Sequence, residues 1–173
     1  MAYPLSPARA AFLVLAVSAA TLGGAWAFQY GLGYEPCALC LEQRVPYYFG
    51  IPLALLSFFA LSMGHQRAGA IGLLGFAALF AYGTGLAVYH SGVEWSWWAG
   101  PAGCAPTVGL ETDASKLFES LSRIHAPSCT EAAWRFLGLS LAGYNALISA
   151  ALVLIASLGA LGTWKSYRSG KHT

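Results

Sequence analysis

Four cysteines carry the reactive chemistry of this 173-residue chain, and their spacing sorts them into two kinds. Cys37-Ala38-Leu39-Cys40 is a C-x-x-C. A bridge across so few residues removes little chain entropy and makes a poor staple. Its sulfurs stay neighbours whether oxidised or reduced, which suits redox exchange. Pro36 directly precedes the motif, as at a helix start, where the backbone dipole favours thiolate over thiol. Arg44 follows Cys40 by four residues, one helical turn along the same face. A fixed cation there would stabilise a Cys40 thiolate or the developing anion of an acceptor beside it; its alternative use is as an anchor on lipid phosphate. Cys104 and Cys129 are far apart in sequence, and a bridge between them would stabilise by about 3 to 4 kcal/mol in the chain-entropy model. A structural staple is the first reading for that pair. A c-type haem would need His where Leu41 stands, and a zinc site would need a second close Cys or His pair, so no metal is expected.

The elements that must hold these residues are set by where charge is absent. Charged residues make up only 9% of the chain and hydrophobic ones 57%, too few charges to cover a soluble globule and too much hydrophobicity for disorder. Residues 10–34, 45–66, 68–93 and 136–164 contain no Asp, Glu, Lys or Arg. Each stretch exceeds the ~20 apolar residues that cross a hydrocarbon core, and backbone in lipid must satisfy itself, so each is a helix. The expected class is an all-α membrane protein, a four-transmembrane-helix bundle in one domain over 1–173. Its helices are expected at about 10–28, 46–63, 68–89 and 143–164. The first apolar run reads as a span and not a cleaved leader, because it is span-long and no small-residue cleavage site follows.

Arg9, Arg67, Lys165, Arg168 and Lys171 fall on one side of such a bundle, and all seven acids fall on the other. Both termini are therefore expected to be cytoplasmic. Two outer loops follow, 30–45 and 90–140, and all four cysteines lie in them, which suggests two disulfides in an oxidising compartment. Residues 112–125 read as a short amphipathic surface helix. His90 is expected to close the third helix, and Trp95, Trp97 and Trp98 to form an interfacial aromatic belt. Gly72, Gly75, Gly83 and Gly85 are expected to permit close helix contact.

The chain resembles the DsbB family of membrane thiol oxidoreductases. The resemblance rests on Pro36-Cys37-Ala38-Leu39-Cys40 followed by Arg44, on Tyr89-His90, and on Ser128-Cys129-Thr130-Glu131 leading into Trp134-Arg135-Phe136-Leu137-Gly138-Leu139. It implies a bacterial inner-membrane protein with periplasmic redox loops. Such a protein reoxidises a DsbA-like periplasmic thioredoxin-fold partner and passes electrons to a membrane quinone, ubiquinone or menaquinone. Carried over to this chain, Cys104 and Cys129 form the pair facing the partner. The partner attacks Cys104, the freed Cys129 attacks Cys37, and Cys40 is the quinone-proximal sulfur, with Arg44 holding the quinone and His90 a candidate hydrogen-bond partner of its oxygen. One departure from the family pattern is Gln43, where an acidic residue is expected before the arginine. A strong acceptor is also an energetic need: an ordinary C-x-x-C near −200 mV would oxidise a DsbA near −120 mV uphill by about 4 kcal/mol. The competing readings are a membrane scaffold with structural disulfides and a thiol reductase of reversed direction. Lipid is the other expected partner, and nucleic acid is not expected.

Overall fold

Ser6 and Pro7 start the first helix. The Ser6 hydroxyl accepts from the Arg9 N–H at 3.4 Å, and proline takes a first-turn position where its missing N–H loses no bond. The computed structural model describes residues 6–101, 104 and 128–169, with side chains as far as Thr163. Helix α1 runs Pro7–Trp26 and continues through one π-helical turn, Ala27–Gly31. A five-residue helix, α2 (Ala38–Glu42), leads into α3 (Val45–Ser62), and α4 spans Gln66–Glu94. A minimal hairpin of β1 (Arg135–Phe136) and β2 (Leu139–Ser140) then enters α5 (Leu141–Ser169). Leu137 and Gly138 make its two-residue turn, both at positive φ (48° and 84°).

Four helical segments are long and apolar enough to cross a membrane, namely Pro7–Gly31, Ala38–Ser62, Gln66–Glu94 and Leu141–Thr163. The expected four-helix membrane fold is therefore present, with shifted ends. The third helix does not stop at residue 89. It runs on to Glu94, which puts His90 inside the helix and not at its close. The fourth begins two residues before the expected position, directly off the hairpin, which the charge pattern did not reveal. The expected amphipathic helix at 112–125 lies outside the described residues.

Helix α4 packs against both α3 and α5, while α1 closes the bundle against those same two helices. The core contains Val14, Leu22, Ala54, Leu73 and Leu152 around an aromatic stack. In that stack Phe76 and Phe80 lie 4.2 Å apart at 16°, and Tyr47 meets Phe80 edge-on at 4.9 Å. Small residues set how near the helices come. A Cβ on Gly72 would strike the Ser57 hydroxyl and one on Gly83 would press on Pro46 at 3.1 Å, as expected of close-contact glycines. Gly75 has ordinary clearance and Gly85 faces open space, so those two do not set the spacing.

Candidate functional site

The C-x-x-C is shaped by its own short helix. Cys37 is the N-cap of α2, in extended backbone, and its Sγ accepts from the Cys40 N–H at 3.2 Å. The helix lasts only five residues before Gln43 and Arg44 turn the chain into α3, with Arg44 as the N-cap. Cys37 and Cys40 are both free thiols, whereas Cys104 and Cys129 are bonded, their Cα atoms 5.3 Å apart. Of the two expected disulfides, the structure thus holds one. The bonded pair packs with Cys37, Leu39 and Val93 in a small cluster of buried side chains, flanked by Cys40, Leu86 and Tyr89. The two cysteine pairs therefore share one environment.

Cys37 lies ahead of the second span and is itself buried, 4% exposed. Its pKa is lowered from 9.0 to about 5. The first cause is the Cys40 thiol donating to it; burial opposes, and His90 adds a hydrogen bond and its charge. The lowered pKa thus falls on Cys37, whereas the sequence reading offered a Cys40 thiolate as one of two uses of the Arg44 cation. The Arg44 guanidinium instead donates through Nη1 to Gln29 Oε1 at 2.5 Å, and it is not among the groups acting on Cys37.

His90 is 3% exposed, and its Nε2 stands 3.7 Å from Cys37 Sγ. The same nitrogen is 3.8 Å from Glu94 Oε1, one turn along α4, and Glu94 Oε2 is buried with no hydrogen-bond partner. On the ring's other side Nδ1 meets Gln43 Nε2 at 2.6 Å. Gln43 Oε1 accepts from Asn145 Nδ2 at 2.7 Å, and Asn145 Oδ1 accepts from the Tyr47 hydroxyl at 2.5 Å. Cys37, His90 and Cys129 bring their ligating atoms within 4.8 Å of one another. A metal there is disfavoured by chemistry: the Cys129 sulfur is committed to a disulfide, and a thiolate must be free to ligate.

Beside this cluster opens a cavity of about 330 Å³ between α1, α2 and α5. Leu22, Phe28 and Ile148 line it with apolar surface, while Cys40, Arg44 and His90 present polar groups. A pocket of that size and character suits a small, largely apolar molecule with a few polar atoms.

Of the six residues singled out from sequence, Cys37, Cys40, Arg44 and His90 converge on this cavity, and Cys104 and Cys129 lie as a bonded pair packed with Cys37. Gln43, Glu94, Asn145 and Tyr47 were missed. Two signals could have found them. Asn145 is an amide within the charge-free stretch 136–164, and polar groups at such depth are functional candidates. Glu94 follows His90 by four residues, the spacing of helical neighbours.

Residues 7–159 match the family model for disulfide bond formation protein DsbB. The chain is 31% identical to a protein of Marinobacter nauticus named disulfide bond formation protein B, covering 83% of this chain and 85% of that one. It is 32% identical to one of the same name from Aromatoleum aromaticum (87% and 90% covered) and 31% identical to one from Xanthomonas campestris pv. campestris (95% and 91%). No solved structure matches it.

Proposed function

Because the chain belongs to the DsbB family of disulfide bond formation proteins, we propose that this multi-pass membrane protein reoxidises a DsbA-like thioredoxin-fold partner and passes the electrons to a membrane quinone. The observation that carries the reading is the junction of two redox pairs. A free Cys37, with its pKa lowered to about 5, lies within 4.8 Å of Cys129, which is bonded to Cys104. Purely structural staples would have no use for a reduced pair packed against an oxidised one.

The exchange proceeds in balanced steps. A partner thiolate attacks Cys104 Sγ, forming a mixed disulfide and breaking the bond to Cys129, which leaves as thiolate. The partner's second thiolate then releases Cys104, and the partner departs oxidised. When Cys37 and Cys40 are bonded, Cys129 attacks Cys37 Sγ and Cys40 leaves as thiolate, leaving one reduced sulfur in each pair until Cys104 completes the transfer. Cys104 then attacks Cys129, restoring the 104–129 bond and freeing Cys37. That end state matches the pairing in the structure, with 104–129 bonded and 37 and 40 reduced.

Closing the Cys37–Cys40 bond requires a two-electron acceptor, and a quinone supplies that capacity. The cavity's apolar walls and about 330 Å³ suit such a ring. Cys40, Arg44 and His90 would hold it, because the guanidinium carries five donors, one of them given to Gln29. The redox loops face the periplasm of the bacterial inner membrane in this reading, and the cytoplasm receives both termini.

The test is oxidation of a reduced DsbA-like protein by the purified chain in lipid, followed as quinone absorbance. The expected result is quinone-dependent turnover that Cys40→Ser abolishes. Binding of the partner without any absorbance change would refute the assignment.

A further inference from the structure

A glutamine amide offers a donor on one side and an acceptor on the other, so its orientation dictates what its neighbours must do. Gln43 is 6% exposed, and its orientation is set from two directions. Its Nε2 lies 3.3 Å from the Leu39 carbonyl, which can only accept. Its Oε1 lies 2.7 Å from the Asn145 amide nitrogen. Asn145 Oδ1 receives the Tyr47 hydroxyl at 2.5 Å and the Ser149 hydroxyl at 3.4 Å, both of which can also accept, so Asn145 adjusts to Gln43 and the Leu39 carbonyl is the fixed point. Turning Gln43 over would set oxygen against oxygen at Leu39, a buried mismatch in place of a bond, and would require Asn145 to turn as well.

With that polarity, Gln43 Nε2 is a donor to His90 Nδ1 at 2.6 Å. Nδ1 then has to be the bare nitrogen of the ring, and a neutral imidazole carries its proton on the other one. The other nitrogen is the one 3.7 Å from Cys37 Sγ.

We propose that Gln43, held by Asn145 and by the Leu39 carbonyl, is a positioning residue that fixes His90 as its Nε2–H tautomer and so aims an N–H at the Cys37 sulfur. The relay extends the thiol-oxidase reading to Gln43, at the end of α2, and Asn145 of α5, which touch neither sulfur. In that tautomer the ring presents a donor and not a lone pair to the Cys37 sulfur. It also gives Gln43 a use at the position where the family pattern has an acid. A carboxylate there would accept from Nδ1, the reverse polarity.

The tautomer is directly measurable. Full-length reduced protein in lipid, with ¹⁵N-labelled histidine and with His65, His125 and His172 changed to Gln, reports only the two His90 nitrogens by NMR. The expected spectrum has a bare Nδ1 and a protonated Nε2, in a ratio of about tenfold or more, the bias one buried hydrogen bond supplies. Gln43→Glu removes the donor and supplies an acceptor, so Nδ1 becomes protonated. Asn145→Leu frees Gln43 to turn, and the ratio falls toward unity. A protonated Nδ1 in the unsubstituted chain overturns the proposal without reference to any variant. So does a bare Nδ1 that survives Gln43→Glu. Neither result touches the thiol-oxidase reading, which stands or falls on quinone-dependent oxidation of the partner.

Discussion

Moving the thiolate from Cys40 to Cys37 has a consequence that can be measured on the reduced protein. An ordinary cysteine at 9.0 is about one part in a hundred thiolate at pH 7, whereas Cys37, at about 5, is thiolate by about a hundred to one. The two differ ten-thousandfold in thiolate-to-thiol ratio. The causes are ordered, with the Cys40 thiol's hydrogen bond first and His90 behind it, against the opposing effect of burial. Cys40→Ala should therefore raise the Cys37 midpoint, since it deletes the largest favourable contribution, and His90→Phe should raise it too, since it deletes both a hydrogen bond and an electrostatic contribution. The assay is the rate of Cys37 alkylation by iodoacetamide between pH 4 and pH 10, read by peptide mass spectrometry. A Cys104→Ser/Cys129→Ser chain keeps other thiols from exchanging. Groups that also titrate at the site are Cys40, His90 and Glu94, with Glu35, Glu131 and Tyr47 on the same cavity wall. The expected midpoint for Cys37 is about 5. A Cys37 midpoint near 9, or Cys40 reacting first, would refute the assignment of the thiolate. A Cys37 midpoint unchanged in Cys40→Ala would refute the leading cause.

The same shift makes stability depend on pH. Because the folded-state pKa of Cys37 is depressed, its contribution is fully present above the unfolded value near 9 and is lost as pH falls through about 5. Reduced protein should therefore gain stability against Cys37→Ala as pH rises from 5 to 9, in parallel denaturant titrations; a flat difference would contradict the shift. At the end of α4, a Cβ on Gly92 would run into the Trp98 indole, whose Nε1 donates to the Tyr89 carbonyl at 2.7 Å while the ring stacks on Tyr89. Gly92→Ala should displace that indole and cost about 1 to 3 kcal/mol, seen as a lower Tm and altered tryptophan fluorescence, whereas an unchanged spectrum would mean the ring does not depend on that glycine.

How much of the site could be read from sequence varies by residue. Cys37 and Cys40 were legible because a C-x-x-C holds its sulfurs together by local chain geometry alone. Arg44 was expected one helical turn from Cys40 on the same face, a spacing that assumes one continuous helix. The break at Gln43 and Arg44 turns the guanidinium toward Gln29 in the π-helical turn of α1. His90 was expected at a helix end because the charge-free stretch ends before Glu94. The helix continues to Glu94 because that carboxylate is buried against His90 and not held in water. Trp95, Trp97 and Trp98 remain exposed at the end of α4, as an aromatic belt requires.

Sequence alone determined that this is a four-span membrane protein with one redox-suited cysteine pair. A hydrocarbon layer demands about 20 apolar residues per crossing whatever the helices later pack against, and a C-x-x-C needs nothing beyond its own turn. Tertiary structure decided which sulfur has its pKa lowered and which ring nitrogen of His90 faces it. Those outcomes depend on contacts of 2.6 to 3.7 Å between residues 47 to 102 positions apart. Such distances exist only once α3, α4 and α5 have packed, and a hydrogen bond's direction depends on which atoms that packing brings together.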